Sequence, residues 1–175
     1  EYTSRCIPVD LVMEGTYYGH YLLCEQVRVD QNRVEIDELK ESDTDPETVT
    51  GGYLLALNPY VSDPKEDRFY TDRYISFGHE SPKFDPDEGY ENDAQRDYIR
   101  GYIQKTEDAI FGEDFCDEDG VSWREDLDEA SLADYWWIEM LTSNEDAFRT
   151  PSTYLYKKRV GKLYFGPVWD FDYHT

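Results

Sequence analysis

Two carboxylates, Asp170 and Asp172, flank Phe171 in the run Gly166-Pro167-Val168-Trp169-Asp170-Phe171-Asp172. The run follows a short apolar stretch, Lys162-Leu163-Tyr164-Phe165, that reads as a strand. Alternation along an extended chain would send both acids to one face and the phenylalanine to the other. An acidic pair with an aromatic anchor behind it suits a hard divalent cation such as Mg²⁺, which takes oxygen ligands and often bridges to substrate phosphates. Alone, these three residues would read better as a strand end with solvated acids. The sequence upstream changes that balance.

The elements that must position these acids follow from periodicity. Ile7, Val9, Leu11 and Met13 alternate, Glu14-Gly15 turns the chain, and Tyr21 to Val29 reads as the partner strand, so residues 6–29 are expected to form a hairpin. Arg33 to Ile36 alternates again, residues 40–50 read as an acidic loop, and Gly51 to Leu57 as another strand. Residues 58–92 are rich in Asp, Pro and Gly, with strand-like pieces at Phe69-Tyr70 and Tyr74 to Phe77. Over 93–111 the residues Tyr98, Ile99, Tyr102, Ile103, Thr106, Ala109 and Ile110 recur at helical spacing, and Gly112 stops the helix. A second helix is expected over 126–143, capped by Asp126 or Asp128, with Leu132, Tyr135, Trp136 and Met140 offered to the core. Strands near 152–158 and 162–165 follow around a Val160-Gly161 turn. The switch from period two to period 3.6 gives an α+β fold with antiparallel strands first, then helices, then a C-terminal hairpin that leads into the acidic motif.

Composition bounds the function. The 175 residues form one domain, 1–175, or part of one, with a sizeable core. Sixteen tyrosines and four tryptophans separate the chain from a disordered acidic tail. A net charge of −23 argues against nucleic-acid binding, which draws affinity from basic patches, and favours cations or basic partners. No signal peptide and no run long enough to span a bilayer is present, and both ends read as cut from something longer. Cys6, Cys24 and Cys116 have no metal-type spacing. Cys6 and Cys24 could pair only if adjacent strands align them, and buried free thiols are the expectation.

Four motifs in order carry a family resemblance. They are Tyr18-Gly19-His20-Tyr21-Leu22-Leu23-Cys24-Glu25, Gly51-Gly52-Tyr53-Leu54-Leu55, the stretch from Leu132 through Asn144-Glu145-Asp146 to Ser152-Thr153-Tyr154-Leu155-Tyr156-Lys157, and Gly-Pro-Val-Trp-Asp-Phe-Asp. Together they resemble the spore coat protein H (CotH) kinase-like family over most of the chain, least so from 62 to 89. The resemblance implies an atypical protein-kinase-like fold that transfers the γ-phosphate of ATP, with Mg²⁺, to Ser or Thr of a basic surface or coat protein. It implies a location outside the cell or on the spore surface, and a monomer is the expectation. Leu23, Glu25 and Val27 would belong to the linker that grips adenine, although an ordinary strand with Glu25 salt-bridged reads about as well. The order of a catalytic-loop acid, a hairpin and a metal-binding acid matches that of kinases. By that analogy Asp146 would orient or deprotonate the acceptor hydroxyl, Asp170 would hold Mg²⁺, and Asn144 or Asp172 would complete the metal shell.

The chain departs from kinases in lacking a glycine-rich or Walker-type phosphate loop. Arg5, Arg28, Arg33 and Lys40 are the basic residues at hand in the N-terminal part. Ala56 stands where family members often carry an acid. The Phe115 to Gly120 segment starts on phenylalanine and so fails the calcium-loop pattern, which leaves an acidic turn. His20, His79 and His174 show no paired spacing. Tyr135-Trp136-Trp137 reads as core packing, because helix neighbours diverge too widely to form one stacking face. Three function classes stay open: a kinase, a non-catalytic envelope or surface module on the same fold, and an acidic cation- or glycan-binding domain.

Overall fold

The computed structural model describes residues 2–57, 68–84, 92–144, 147 and 153–171. Asp146, Asp172 and His174 lie outside them. The architecture is α+β. Strands β1 (Cys6–Met13) and β2 (Thr16–Cys24) form an antiparallel pair. Glu14 and Gly15 make the turn, both at positive φ (50° and 79°), which matches the right-handed twist of the strands it joins. The second strand stops at Cys24 rather than running to Val29. Beyond it the backbone acceptors are claimed elsewhere: Arg33 Nη1 donates to Gln26 O at 3.0 Å, and Val34 N to Arg28 O at 3.2 Å. The alternation at 33–36 therefore yields an isolated bridge, Val29 to Val34, and no strand.

A five-stranded antiparallel sheet forms the centre, in the order β4 (Arg68–Tyr70), β5 (Ser76–Ser81), β3 (Tyr53–Leu57), β6 (Thr153–Lys157), β7 (Leu163–Phe165). Strand β3 is covered on both faces, which explains its unbroken apolar run. Tyr53 and Leu55 face a core that includes Phe69, Phe77, Ile99, Ile103, Leu155 and Leu163. Leu54 faces the other way, onto Val27 and Val34, with Tyr154, Tyr156 and Trp169 packed around them. The alternation on β6 is the same, Leu155 toward one cluster and Tyr154 and Tyr156 toward the other.

Helix α1 (Asp93–Phe111) takes the expected bounds. Asn92 caps it by accepting from Gln95 N, and the buried Gln95 amide donates to Lys40 O and Asp43 O, both at 2.8 Å. These bonds tie the acidic 40–50 loop to the helix start. Helix α2 (Glu129–Thr142) begins three residues later than expected, at the Asp128 cap, because a 3₁₀ turn at Trp123–Glu125 occupies the approach. Tyr135 is buried, but Trp136, Trp137 and Met140 are exposed, contrary to the core packing expected of them. Ser131, Tyr135 and Glu139 are the buried residues of α2, with Leu132 and Ile138 half-buried beside them. The 115–120 segment is an acidic turn as read, with Asp117 Oδ1 accepting from the backbone of Asp119 and Val121.

Entry into β3 needs two glycines. A Cβ on Gly51 would lie 2.1 Å from Arg159 N, and one on Gly52, at φ +107°, 2.3 Å from Asp37 O. Beside them the buried Lys157 side chain donates to Thr50 O (2.8 Å), Lys158 O (3.1 Å) and Gly161 O, and sits over the Tyr102 ring. Burial pulls the Lys157 pKa down to about 8, against the opposing pull of Asp126.

Two predictions follow from this packing. Gly51→Ala should lower stability by about 3 kcal/mol in denaturant unfolding, since the neighbour it meets is backbone that cannot step aside. For Lys157, the folded pKa of about 8 lies below the ordinary 10.5, so unfolding binds a proton between those values. Stability should therefore rise with pH across that window and fall as pH drops through about 8. A Lys157→Met protein should lose that slope, as read from urea midpoints at successive pH values.

Candidate functional site

The acidic motif is not the extended strand its alternation suggests. After β7 the backbone of Gly166 still donates to Tyr154 O at 2.9 Å, but the residues from Gly166 to Phe171 belong to no strand, and Asp170 adopts φ +61°. Aspartate tolerates this left-handed geometry better than most residues. The extended course on which that alternation rests ends at Asp170, and Asp172 lies outside the described residues.

A long-range hydrogen bond holds the turn. Asn144 Nδ2 donates to Asp170 O at 3.0 Å, across twenty-six residues of sequence. Asn144 is aimed inward by the end of α2. Ser143 turns left-handed (φ 56°), and Asn144 N closes onto Glu139 O at 3.0 Å. The Asn144 side chain is buried, with its Oδ1 lacking a hydrogen-bond partner.

Beside it lies a residue the sequence reading passed over. Glu139 is 1% exposed, and both carboxylate oxygens lack a hydrogen-bond partner. Burial raises its pKa above the usual carboxylate range; Asn144 and Tyr135 approach and oppose the shift without completing a hydrogen bond. A glutamate in a helix reads as a solvated group. The signal that could have found it is its place at i+7 from Leu132 and i+4 from Tyr135, on the buried stripe.

Asp146 lies outside the described residues. Its described neighbours are both anchored in the fold: Asn144 as above, and Ala147, buried, with its carbonyl accepting from Thr153 Oγ1. Thr153 in turn receives the Tyr135 hydroxyl at 3.2 Å.

The proposed linker residues divide. Leu23 is exposed on β2. Glu25 accepts from Arg5 N at 3.2 Å and pairs with Arg5 Nε at 3.5 Å. That backbone bond, with help from Arg5 and Arg33 charge, holds the Glu25 carboxyl below its usual range. Val27 is buried in the cluster on which Trp169 packs. Trp169 meets the Tyr154 ring edge-on at 5.7 Å. The charge of Asp170 is felt at both Cys24 and Tyr154, where it adds to larger upward effects. Asp170 thus lies near both the end of the hairpin and Tyr154.

Two cavities border this region. One of about 270 Å³ lies between Tyr2 and Thr3, the α2 residues Tyr135 and Ile138, and Val168 and Phe171 of the acidic segment. The other, of about 300 Å³, brings Arg33 and Lys158 together with Tyr156 and Pro167. Lys158 lies over the Tyr156 and Tyr164 rings. Arg33 was among the basic residues noted in the sequence; Lys158 was not, and only the sheet topology brings the two together.

Hard oxygen donors suit Mg²⁺. The Asp170 carboxylate and the unpartnered Asn144 Oδ1 are of that type. Among the described residues no three of His, Cys, Asp or Glu converge as a metal cluster. No described helix is long and apolar enough to cross a membrane.

A family model described as CotH kinase protein matches residues 2–174. No curated protein and no solved structure matched the chain.

The two buried groups at the α2 end should respond in opposite directions. Asn144→Ala removes the anchor of the Asp170 turn and should lower stability by about 2 kcal/mol. Glu139→Gln replaces a partnerless buried carboxyl with a neutral amide that can donate to Asn144 Oδ1, and should raise stability at neutral pH by about 1 kcal/mol. Chemical denaturation of both variants checks the pair; a destabilised Glu139→Gln would show that the carboxylate itself is needed.

Proposed function

Because the chain belongs to the CotH kinase protein family, we propose that it is an atypical protein kinase that transfers the γ-phosphate of ATP, with Mg²⁺, to Ser or Thr of a basic surface or coat protein. The observation that supports this most is the anchored Asp170 turn. A hydrogen bond from the Asn144 amide holds the backbone carbonyl of this acid, on the side of the sheet where Val27 and Trp169 pack.

In this reading Asp170 holds the metal, and Asn144 or Asp172 completes its oxygen shell. When bound, Mg²⁺ neutralises charge on the transferring phosphates. Leu23, Glu25 and Val27 line the adenine side. Arg33 and Lys158 take the phosphate-neutralising role that a glycine-rich loop would otherwise fill. Asp146 accepts the proton of the acceptor hydroxyl as that oxygen attacks the γ-phosphorus and ADP leaves. An acceptor rich in Lys and Arg suits a chain of net charge −23, and a location outside the cell or on the spore surface accompanies the coat-protein acceptor.

A second reading has its own observation. Trp136, Trp137, Met140 and Leu141 form an exposed apolar surface on α2, which a non-catalytic envelope or glycan-binding module could use.

Radiolabelled phosphate transfer to a Lys/Arg-rich, Ser-containing protein separates them. Asp146→Ala should lose transfer by at least about a hundredfold while keeping Mg²⁺–ATP affinity, because its partner is the acceptor. Asp170→Ala should lose transfer and weaken nucleotide binding. Chelation of Mg²⁺ should abolish transfer. Wild-type transfer in both variants would remove these acids from the mechanism. A folded wild type inactive across basic acceptors would favour the binding module.

A further inference from the structure

The β1–β2 register places Cys6 directly opposite Cys24. Both thiols are exposed, which corrects the expectation of buried cysteines. The hydrogen-bond phase of the ladder fixes how close they are. Glu25 N donates to Arg5 O at 2.9 Å, so residues 5 and 25 occupy a hydrogen-bonded position. Such positions alternate with non-hydrogen-bonded ones in an antiparallel pair. Cys6 and Cys24 therefore form a non-hydrogen-bonded pair, where Cα atoms are about 4.5 Å apart and side chains on one face approach most closely. That spacing falls within the range a disulfide can bridge without backbone movement.

We propose that Cys6 and Cys24 are a cross-strand redox pair, a site of disulfide formation with a low-molecular-weight disulfide as oxidant. One cysteine, as thiolate, attacks a sulfur of the oxidant and expels one small thiolate, giving a mixed disulfide. The other cysteine loses its proton and attacks the protein-side sulfur. A second small thiolate leaves, and the Cys6–Cys24 bond is formed. Two electrons pass from the cysteine sulfurs to the oxidant. The two protons released are taken up by the two expelled thiolates.

Cys6 Sγ faces Ser4 O at 3.9 Å and Cys24 Sγ faces Leu22 O at 3.8 Å, and the proximity of Cys6 raises the Cys24 pKa above its ordinary value. The location gives the bond a consequence. Among the described residues β1 and β2 pair only with each other, and Ile7, Val12, Tyr17, Tyr21, Leu22 and Leu23 are all at least half exposed. A two-stranded hairpin with so little packing is marginal by itself. A bond at its open end holds both strands where the chain leaves for Glu25 and Val27. Cys116 lies on a separate loop after α1 and serves as the control.

The test uses the 175-residue chain without nucleotide, so its outcome is independent of the kinase reading. The reduced protein is incubated with glutathione disulfide, quenched with an alkylating agent, and analysed by intact mass and non-reduced peptide mapping. Wild type and Cys116→Ser should each lose two hydrogens, lose two titratable thiols and show a peptide joining Cys6 to Cys24. Cys6→Ser and Cys24→Ser should instead retain glutathione on the remaining hairpin cysteine, having no partner to displace it. Limited proteolysis within residues 6–24 should slow on oxidation in wild type and not in either single variant. Stable glutathione adducts on both Cys6 and Cys24 of the wild type, a link through Cys116, or intermolecular dimers in place of the internal bond would overturn the proposal.

Discussion

The whole arrangement depends on a strand buried on both faces. Strand β3 carries Tyr53 and Leu55 into the helix-side core and Leu54 into the opposite cluster, and each of the three is fully buried. Burial of such side chains contributes roughly 1.5–3 kcal/mol each, so this strand is where much of the stability is concentrated. It can take that place only because backbone approaches backbone at Gly51 and Gly52, closer than any side chain would allow. Lys157 then ties the entry of β3 to the turn between β6 and β7. A buried ammonium is expensive to desolvate, and three carbonyl oxygens with an aromatic face offset that cost.

From β3 the geometry passes outward to the acids. Strand β6 pairs with β3, β7 with β6, and the acidic segment leaves from β7. Along that path Trp169 packs on Tyr154, and from the other side the left-handed end of α2 presents Asn144 to the Asp170 carbonyl. Helix α2 meets the sheet through Tyr135, whose ring packs at a tilt against Phe165 and whose hydroxyl donates to Thr153. The candidate site is thus a junction between a strand exit and a helix end, bridged by the Asn144 side-chain amide.

What could be read in the sequence was local. Helix α1 was legible to its ends because the helical recurrence from Tyr98 to Ile110 and the stop at Gly112 agree. Strand β3 was legible from its glycines and apolar run. The acidic motif drew attention to Asp170, but its conformation was hidden, because the bond that sets it comes from Asn144, twenty-six residues away. Helix α2 misled for a different reason. Leu132, Trp136, Trp137, Met140 and Leu141 put apolar groups on several faces, so the stripe through Leu132, Tyr135 and Glu139 competes with exposed apolar residues beside it. The register that sets Cys6 against Cys24 depends on a turn and a bulge between Leu11 and Val12, which side-chain alternation does not reveal.

The proposed cation–nucleotide role of Asp170 beside Trp169 is open to a direct test with paramagnetic Mn²⁺ in place of Mg²⁺, because Mn²⁺ broadens the resonances of nearby protons. With Mn²⁺–ATP, the indole N–H signal of Trp169 should broaden before those of Trp123, Trp136 and Trp137, and Asp170→Asn should abolish the effect. Uniform broadening of all four indoles, or selective broadening that persists in Asp170→Asn, would contradict the account.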